Sequence, residues 1–175
     1  MNNLAKRILA TVLLGVCLLP VGIQGTESDA KTVQLVERGS VRASIILPGE
    51  PDELEQLAAD ELVEHVEKIS GARLPIITEK QKASGIKIHI GRAAPDAGFS
   101  KQRIRVGGDD PASFRLLVTD HNIQLVGLSP QGSLIAVYEL LEQLGVRWFV
   151  PDEIGTVIPK TITVAVRHQD TIQHP

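Results

Sequence analysis

The sequence holds one cysteine, one methionine, one tryptophan, one tyrosine and three phenylalanines in 175 residues. Cys17 lies within the first thirty residues, so a chain that loses them keeps no thiol for a disulfide or a cysteine-ligated metal. Five aromatic residues, Phe99, Phe114, Tyr138, Trp148 and Phe149, are few for a stand-alone sugar-binding surface, which usually presents several exposed rings. No charge of one sign dominates. The formal net charge is −3 with the signs interspersed, which leaves no electrostatic footprint for nucleic acid or an anionic membrane. The one long apolar run, Ile8 to Val21, falls short of the roughly 20 residues of a bilayer span. There is no internal repeat and no low-complexity stretch.

The N-terminus reads as an export signal. Lys6 and Arg7 precede the apolar run, and Ser28-Asp-Ala30 offers small residues at the −3 and −1 positions of a cleavage site. Residues 1–30 are therefore expected to be a signal peptide cleaved after Ala30, giving a periplasmic or extracellular protein. The competing expectation is an uncleaved anchor, the only route by which the chain would associate with a membrane. Leu14-Gly-Val16 before Cys17 only loosely matches a lipoprotein box, because Val16 stands where a small residue is needed, so Cys17 reads as one more apolar residue.

Residues 31–40 read as a polar lead-in, 41–166 as one α/β domain and 167–175 as a frayed C-terminal tail. Val41 to Leu47 alternates as a strand. Leu54, Leu57, Ala58, Leu62, Val66 and Ile69 recur at helical spacing, with Glu55, Asp60, Glu64 and Lys68 opposite and Gly71 as the stop. Leu74 to Thr78 contains Pro75 and suits an edge strand, and Ile86 to Ile90 alternates cleanly. Residues 91–112 are punctuated by glycine and proline, with a short strand expected at Arg103 to Val106. Phe114–Thr119 and Asn122–Gly127 flank a hairpin turn. Ser129 caps a second helix with Pro130 in its first position, the stripe Leu134, Val137, Tyr138, Leu141 and Leu144, and Gly145 at its end. Val146 to Val150 and Thr161 to Val166 return as extended segments. The order β-α-β-(β)-β-β-α-β predicts a two-layer α/β sandwich, a mixed sheet of five or six strands under two main helices.

Chemistry-bearing patterns are scarce. The histidines at 65, 89, 121, 168 and 174 have no metal-ligand spacing, so no metal is expected. The carboxylate pairs Asp52/Glu53, Asp109/Asp110 and Asp152/Glu153 are adjacent in sequence, whereas a glycosidase acid and base must face one bond from two sides. Asp52/Glu53 suits a helix N-terminus and Asp109/Asp110 an ordinary turn. Ser113, Ser129 and Ser133 lack a nucleophile elbow, and Gly107-Gly108 lacks the rest of a phosphate loop. No catalytic residue and no cofactor is expected. Trp148 and Phe149 are adjacent in an extended segment, so they point to opposite sides, one toward the core and one toward a partner. Arg147, Trp148, Phe149 and Pro151 are the candidate domain interface.

Four segments resemble the non-catalytic α/β domain that precedes the catalytic barrel in several glycoside hydrolases. They are Ala58-Ala-Asp-Glu-Leu-Val-Glu-His-Val-Glu-Lys-Ile-Ser-Gly-Ala-Arg-Leu-Pro-Ile76, Ile88-His-Ile-Gly-Arg92, Phe114 to Gly127, and Pro130 to Phe149 with Pro151 and Val157-Ile-Pro-Lys160. The domain is similar in family 20 β-N-acetylhexosaminidases, in xylan α-glucuronidases and in related secreted bacterial proteins, and the resemblance covers residues 36–166. It implies that the catalytic machinery belongs to a barrel, so no active-site residue is carried over. A (β/α)8 barrel takes about 250 residues, and after Val166 the sequence runs only to Pro175. The expected function is thus an accessory domain of a secreted polysaccharide-degrading glycoside hydrolase, partnered by a barrel in cis or trans and in contact with polysaccharide. The alternative is a free-standing exported module that binds a glycan or envelope component. A third reading, a small hydrolase with an unrecognised site, would draw on Asp152 or Glu153.

Overall fold

Helix α1, Glu53–Ser70, starts where the side chain of Asp52 accepts from the Leu54 amide at 2.9 Å and Glu55 reaches back to the Asp52 amide at 3.0 Å. This reciprocal cap satisfies two amides that a helix start otherwise leaves unpaired. Gly71, at φ 76°, ends the helix by donating to the Glu67 carbonyl. Helix α3, Pro130–Gln143, begins at Ser129, whose Oγ accepts from Gly132 at 3.3 Å and donates to the Pro111 carbonyl at 2.8 Å. These features belong to a computed structural model that describes residues 31–149 and 155–175. The expected signal segment, Cys17, Pro151 and the Asp152/Glu153 pair lie outside the described residues.

The strands before α3 are β1 Thr32–Glu37, β2 Ser40–Val41, β3 Ala43–Leu47, β4 Ile76–Thr78, β5 Ile86–Ile90, β6 Phe114–Val118 and β7 Asn122–Gly127. After α3 come β8 Arg147–Trp148, β9 Thr156–Val157, β10 Val164–Arg167 and β11 Gln169–Gln173. The main sheet has the order β11-β6-β7-β5-β3-β4, parallel from β4 to β7 and antiparallel from β7 to β11. Alternation along these strands sends Ala43, Ile45, Leu47, Ile88, Ile90, Ile123, Leu125 and Leu116 into one core with Leu62, Val66, Val137 and Leu141 of the two long helices. The mixed α/β sandwich expected from the sequence is thus present.

The opposite face of the sheet is covered as well. Helix α2, Ala97–Arg105, follows a 3-10 turn at Gly91–Ala93 and lies over β6 and β7. Arg115 points to that side, the reverse of Phe114 and Leu116, and its Nη1 donates to Ser100 Oγ on α2 at 3.0 Å. Residues 103–106 are therefore not a strand. Only Ser100 and Ile104 of α2 are buried, too few to leave a readable apolar stripe.

Three further expectations are corrected. The polar lead-in 31–40 contains β1, which pairs with β10 and β2 in a small sheet. A bulge between Gln34 and Val36 turns both Leu35 and Val36 inward, so strict alternation fails there. The tail 167–175 contains β11, an edge strand held by its ladder to β6 and by Asp170. Glu55, assigned to the polar side of α1, is 1% exposed because it serves the helix cap and accepts from the Arg92 amide at 3.1 Å. The edge strand at β4, the strand β5 and the β6–β7 hairpin stand where the sequence predicts them.

Candidate functional site

After α3 the chain passes Gly145, at φ 95°, and enters a two-stranded ribbon of β8 and β9. Arg147 pins the crossing: its Nη1 donates to the Glu142 carbonyl at 2.5 Å and to the Val146 carbonyl at 2.7 Å. A cation at the carbonyl end of a helix satisfies orphan acceptors and opposes the negative pole of the macrodipole. The ribbon register sets Arg147 opposite Val157 and Trp148 opposite Thr156, and the Phe149 amide donates to the Gly155 carbonyl at 2.8 Å.

Alternation then divides the ribbon into two faces. Trp148 turns toward the long helices. Its indole stands edge-to-face with Tyr138 of α3, centroids 5.4 Å apart, and with His65 of α1 at 5.6 Å. Phe149 turns the other way with Arg147 and Val157, and Phe149 is 73% exposed and Val157 54%. The opposite pointing of Trp148 and Phe149 expected from their adjacency is observed, though Trp148 retains 37% exposure.

On the Trp148 side lies a groove of about 470 Å³, lined by Glu61, Glu64, His65 and Lys68 from one face of α1, Tyr138 from α3, and Trp148, Thr156 and Ile158 from the ribbon side. His65 is buried, and its Nδ1 donates to the Glu61 carbonyl at 2.9 Å, which fixes the ring against the indole. The Glu64 carboxyl is held below the usual range by its hydrogen bond to, and the charge of, Lys68, 2.5 Å away. Burial, helped by the Glu61 charge, raises the Tyr138 phenol, so its hydroxyl keeps its proton throughout the neutral range. The groove thus offers part of an indole surface, the Glu61 carboxylate, the Glu64–Lys68 ion pair and a neutral hydroxyl. Among the described residues it holds no nucleophile–base pair, and its two carboxylates there, Glu61 and Glu64, rise from one helix rather than from two sides of a cleft.

Arg147 and Trp148 form β8 and Phe149 follows it, so of the expected interface Arg147 and Phe149 share the outer face while Trp148 faces the long helices, and Pro151 lies outside the described residues. The sequence pattern did not single out Glu61, Glu64, His65 and Lys68, whose spacing is that of any half-exposed helix face. Tyr138 was assigned to the core, against which it does pack in part. The other candidates resolve as structural groups. Asp52 is a cap, and Asp110 closes a turn by accepting from Ala112 at 2.8 Å. Phe114 is buried, His121 sits exposed at the hairpin tip, and His174 lies 3.0 Å from Ser113 Oγ. Among the described residues, no three His, Cys, Asp or Glu side chains converge on a point where a metal could sit.

No protein-family model and no curated protein matches the sequence. Among solved structures the chain is similar to BtGH115A, a family GH115 4-O-methyl-α-glucuronidase with specificity for decorated arabinogalactans. The TM-score is 0.54 at 16% identity, covering 76% of this chain and 18% of that one. A second structure, CpGH84D, overlaps 80% of this chain and 21% of its own at 12% identity, but its TM-score of 0.47 is too low to carry an argument. The likeness to the glucuronidase is one of fold, and this chain spans less than a fifth of that enzyme's length.

Proposed function

We propose that this chain is a non-catalytic accessory domain of an exported, polysaccharide-degrading glycoside hydrolase, and that it docks on a catalytic (β/α)8 barrel in cis or in trans. The observation that carries the proposal is the outer face of the β8–β9 ribbon. Phe149 and Val157 present exposed apolar surface there, with Arg147 opposite Val157 in the ribbon, on a fold shared with a segment of a much longer glycoside hydrolase. A 73%-exposed phenylalanine on a ribbon already anchored from its other side serves no purpose in the core, and aromatic residues with arginine are typical interface anchors. The acid and base of catalysis belong to the barrel in this reading, and the N-terminal segment directs export.

The test is Phe149→Asp in the full chain, produced in its source cell. Wild-type protein in the exported fraction should co-elute with a barrel-bearing polypeptide that hydrolyses glycosides, or be joined to one covalently. For a separate partner, the variant should elute alone. For a fused partner, the variant should make the junction sensitive to protease. An elution profile and protease map identical for wild type and variant would overturn the proposal.

A further inference from the structure

We infer that the groove between α1, α3 and the ribbon binds a neutral oligosaccharide, with the Trp148 indole as the platform for one pyranose ring. The groove opens on the side of the ribbon away from Phe149 and Val157, so this inference goes beyond the docking proposal and does not depend on it.

The indole is held before any ligand arrives. His65 and Tyr138 stand edge-to-face with it, ring centroids 5.6 and 5.4 Å away, and the His65 ring is itself fixed by the Glu61 carbonyl at 2.9 Å. A platform with its orientation already set loses little entropy on binding. Its 37% exposure leaves indole surface open to the groove, whose 470 Å³ falls in the range of small-ligand sites. The C–H face of a pyranose is the apolar surface that matches such a ring, and its hydroxyl rim needs acceptors and donors at the edge. Those stand on successive turns of α1, where the Glu61 carboxylate and the Glu64–Lys68 ion pair meet the hydroxyls. Hydrogen bonds to ionised groups are the stronger kind.

The same residues choose among occupants. Among the described lining residues two carboxylates stand against one ammonium, a net negative balance that opposes uronates and phosphosugars. Ile158 is the one aliphatic side chain among the described lining residues, so an apolar helix or a second copy of the chain seated here would take the Glu64–Lys68 ion pair and the Glu61 carboxylate out of water. A neutral sugar satisfies them. Glu61 and Glu64 approach from one helix, whereas hydrolysis needs carboxyl groups on both sides of the bond, so these two residues serve binding.

Trp148 is the only tryptophan in the sequence, so its fluorescence reports on this groove alone. The full chain is titrated with xylotetraose, cellotetraose and β-galactotetraose, and with tetragalacturonate as the acidic counterpart, by emission and by calorimetry in parallel. A saturable change with at least one neutral tetrasaccharide is expected, with a dissociation constant of about 0.1–5 mM. Tetragalacturonate should bind at least about tenfold more weakly. The double variant Glu61→Gln/Glu64→Gln, checked for unchanged circular dichroism, should lose about tenfold in affinity for the neutral sugar. No saturation in emission or heat with any neutral tetrasaccharide up to about 20 mM would overturn the inference. Tighter binding of tetragalacturonate, or neutral-sugar affinity unaltered in the double variant, would overturn it equally. Sugar binding without a barrel partner, or a barrel partner without sugar binding, would separate this inference from the docking proposal.

Discussion

Replacing Trp148 and Phe149 separately by alanine should have very unequal consequences, although the two residues are neighbours. Trp148 is 37% exposed, so rather more than half of a large indole is covered by α1 and α3. About 130 Å² of buried apolar surface at about 25 cal/mol per Å² is worth roughly 3 kcal/mol. The edge-to-face pairs with Tyr138 and His65 add about 0.5–1 kcal/mol each. Regained side-chain freedom and partial closure of the ribbon offset part of this, leaving a net cost of about 3 kcal/mol for Trp148→Ala. For a domain of this size that corresponds to a drop of about 10 °C in Tm. Phe149→Ala, at 73% exposure, should stay within about 0.5 kcal/mol of wild type. Urea unfolding followed by far-ultraviolet circular dichroism reads both without relying on the lost indole. Equal costs, or a larger cost at Phe149, would refute the two-faced ribbon.

Acid should weaken the fold in two windows. Burial holds the His89 imidazole below its ordinary value, so the unfolded chain takes up the proton first and stability falls as pH drops below 6.5. Asp170, hydrogen-bonded by Arg115 at 2.7 Å and lowered to about 2, contributes stability that is complete above 3.8 and lost as pH falls toward that value. Partial exposure of Asp170 limits this second contribution to about 1 kcal/mol. Urea midpoints across the acid range check both windows, and Asp170→Asn should flatten the lower one. Gly127→Ala should cost at least about 2 kcal/mol, because a Cβ there would lie 2.3 Å from the Ser133 amide nitrogen at the start of α3. Gly98→Ala, in α2 with nothing within 4 Å, should instead stabilise by about 0.5–1 kcal/mol, and thermal unfolding distinguishes the pair. The proposed export predicts a mature chain whose N-terminal sequence begins at Lys31, and the proposed accessory role predicts that the purified chain leaves aryl-glycosides intact.

What could be read from the sequence is what strong local rules govern. Asp52 at a helix start, Gly71 at its end, Ser129 with Pro130, and the clean alternation of Ile86 to Ile90 each fix an element through a terminus, a cap or a period, and those elements form the main core. The elements it concealed depend on tertiary partners. β1 breaks its own alternation at the bulge, α2 buries only Ser100 and Ile104, and the polar β11 is a strand because β6 offers it a ladder and Arg115 an ion pair. The same limit applies to the site. Adjacency alone predicts that Trp148 and Phe149 diverge, but the convergence of Glu61, Glu64, His65 and Tyr138 on the indole exists only once α1 lies beside α3. A half-exposed helix face carries no mark of what its neighbour will bring.

The docking proposal is tested most directly by a photo-activated cross-linker placed at position 149 of the full chain in its source cell, with the same group at position 106 as the control. Val106 is 89% exposed and lies at the end of α2, across the sheet from the long helices that anchor the ribbon. Mass spectrometry of the cross-linked peptides should find position 149 joined to a segment of a (β/α)8 glycoside hydrolase barrel and position 106 not joined to it. Failure of position 149 to capture any barrel segment, or capture from both positions alike, would contradict the assignment of the ribbon's outer face as the docking surface.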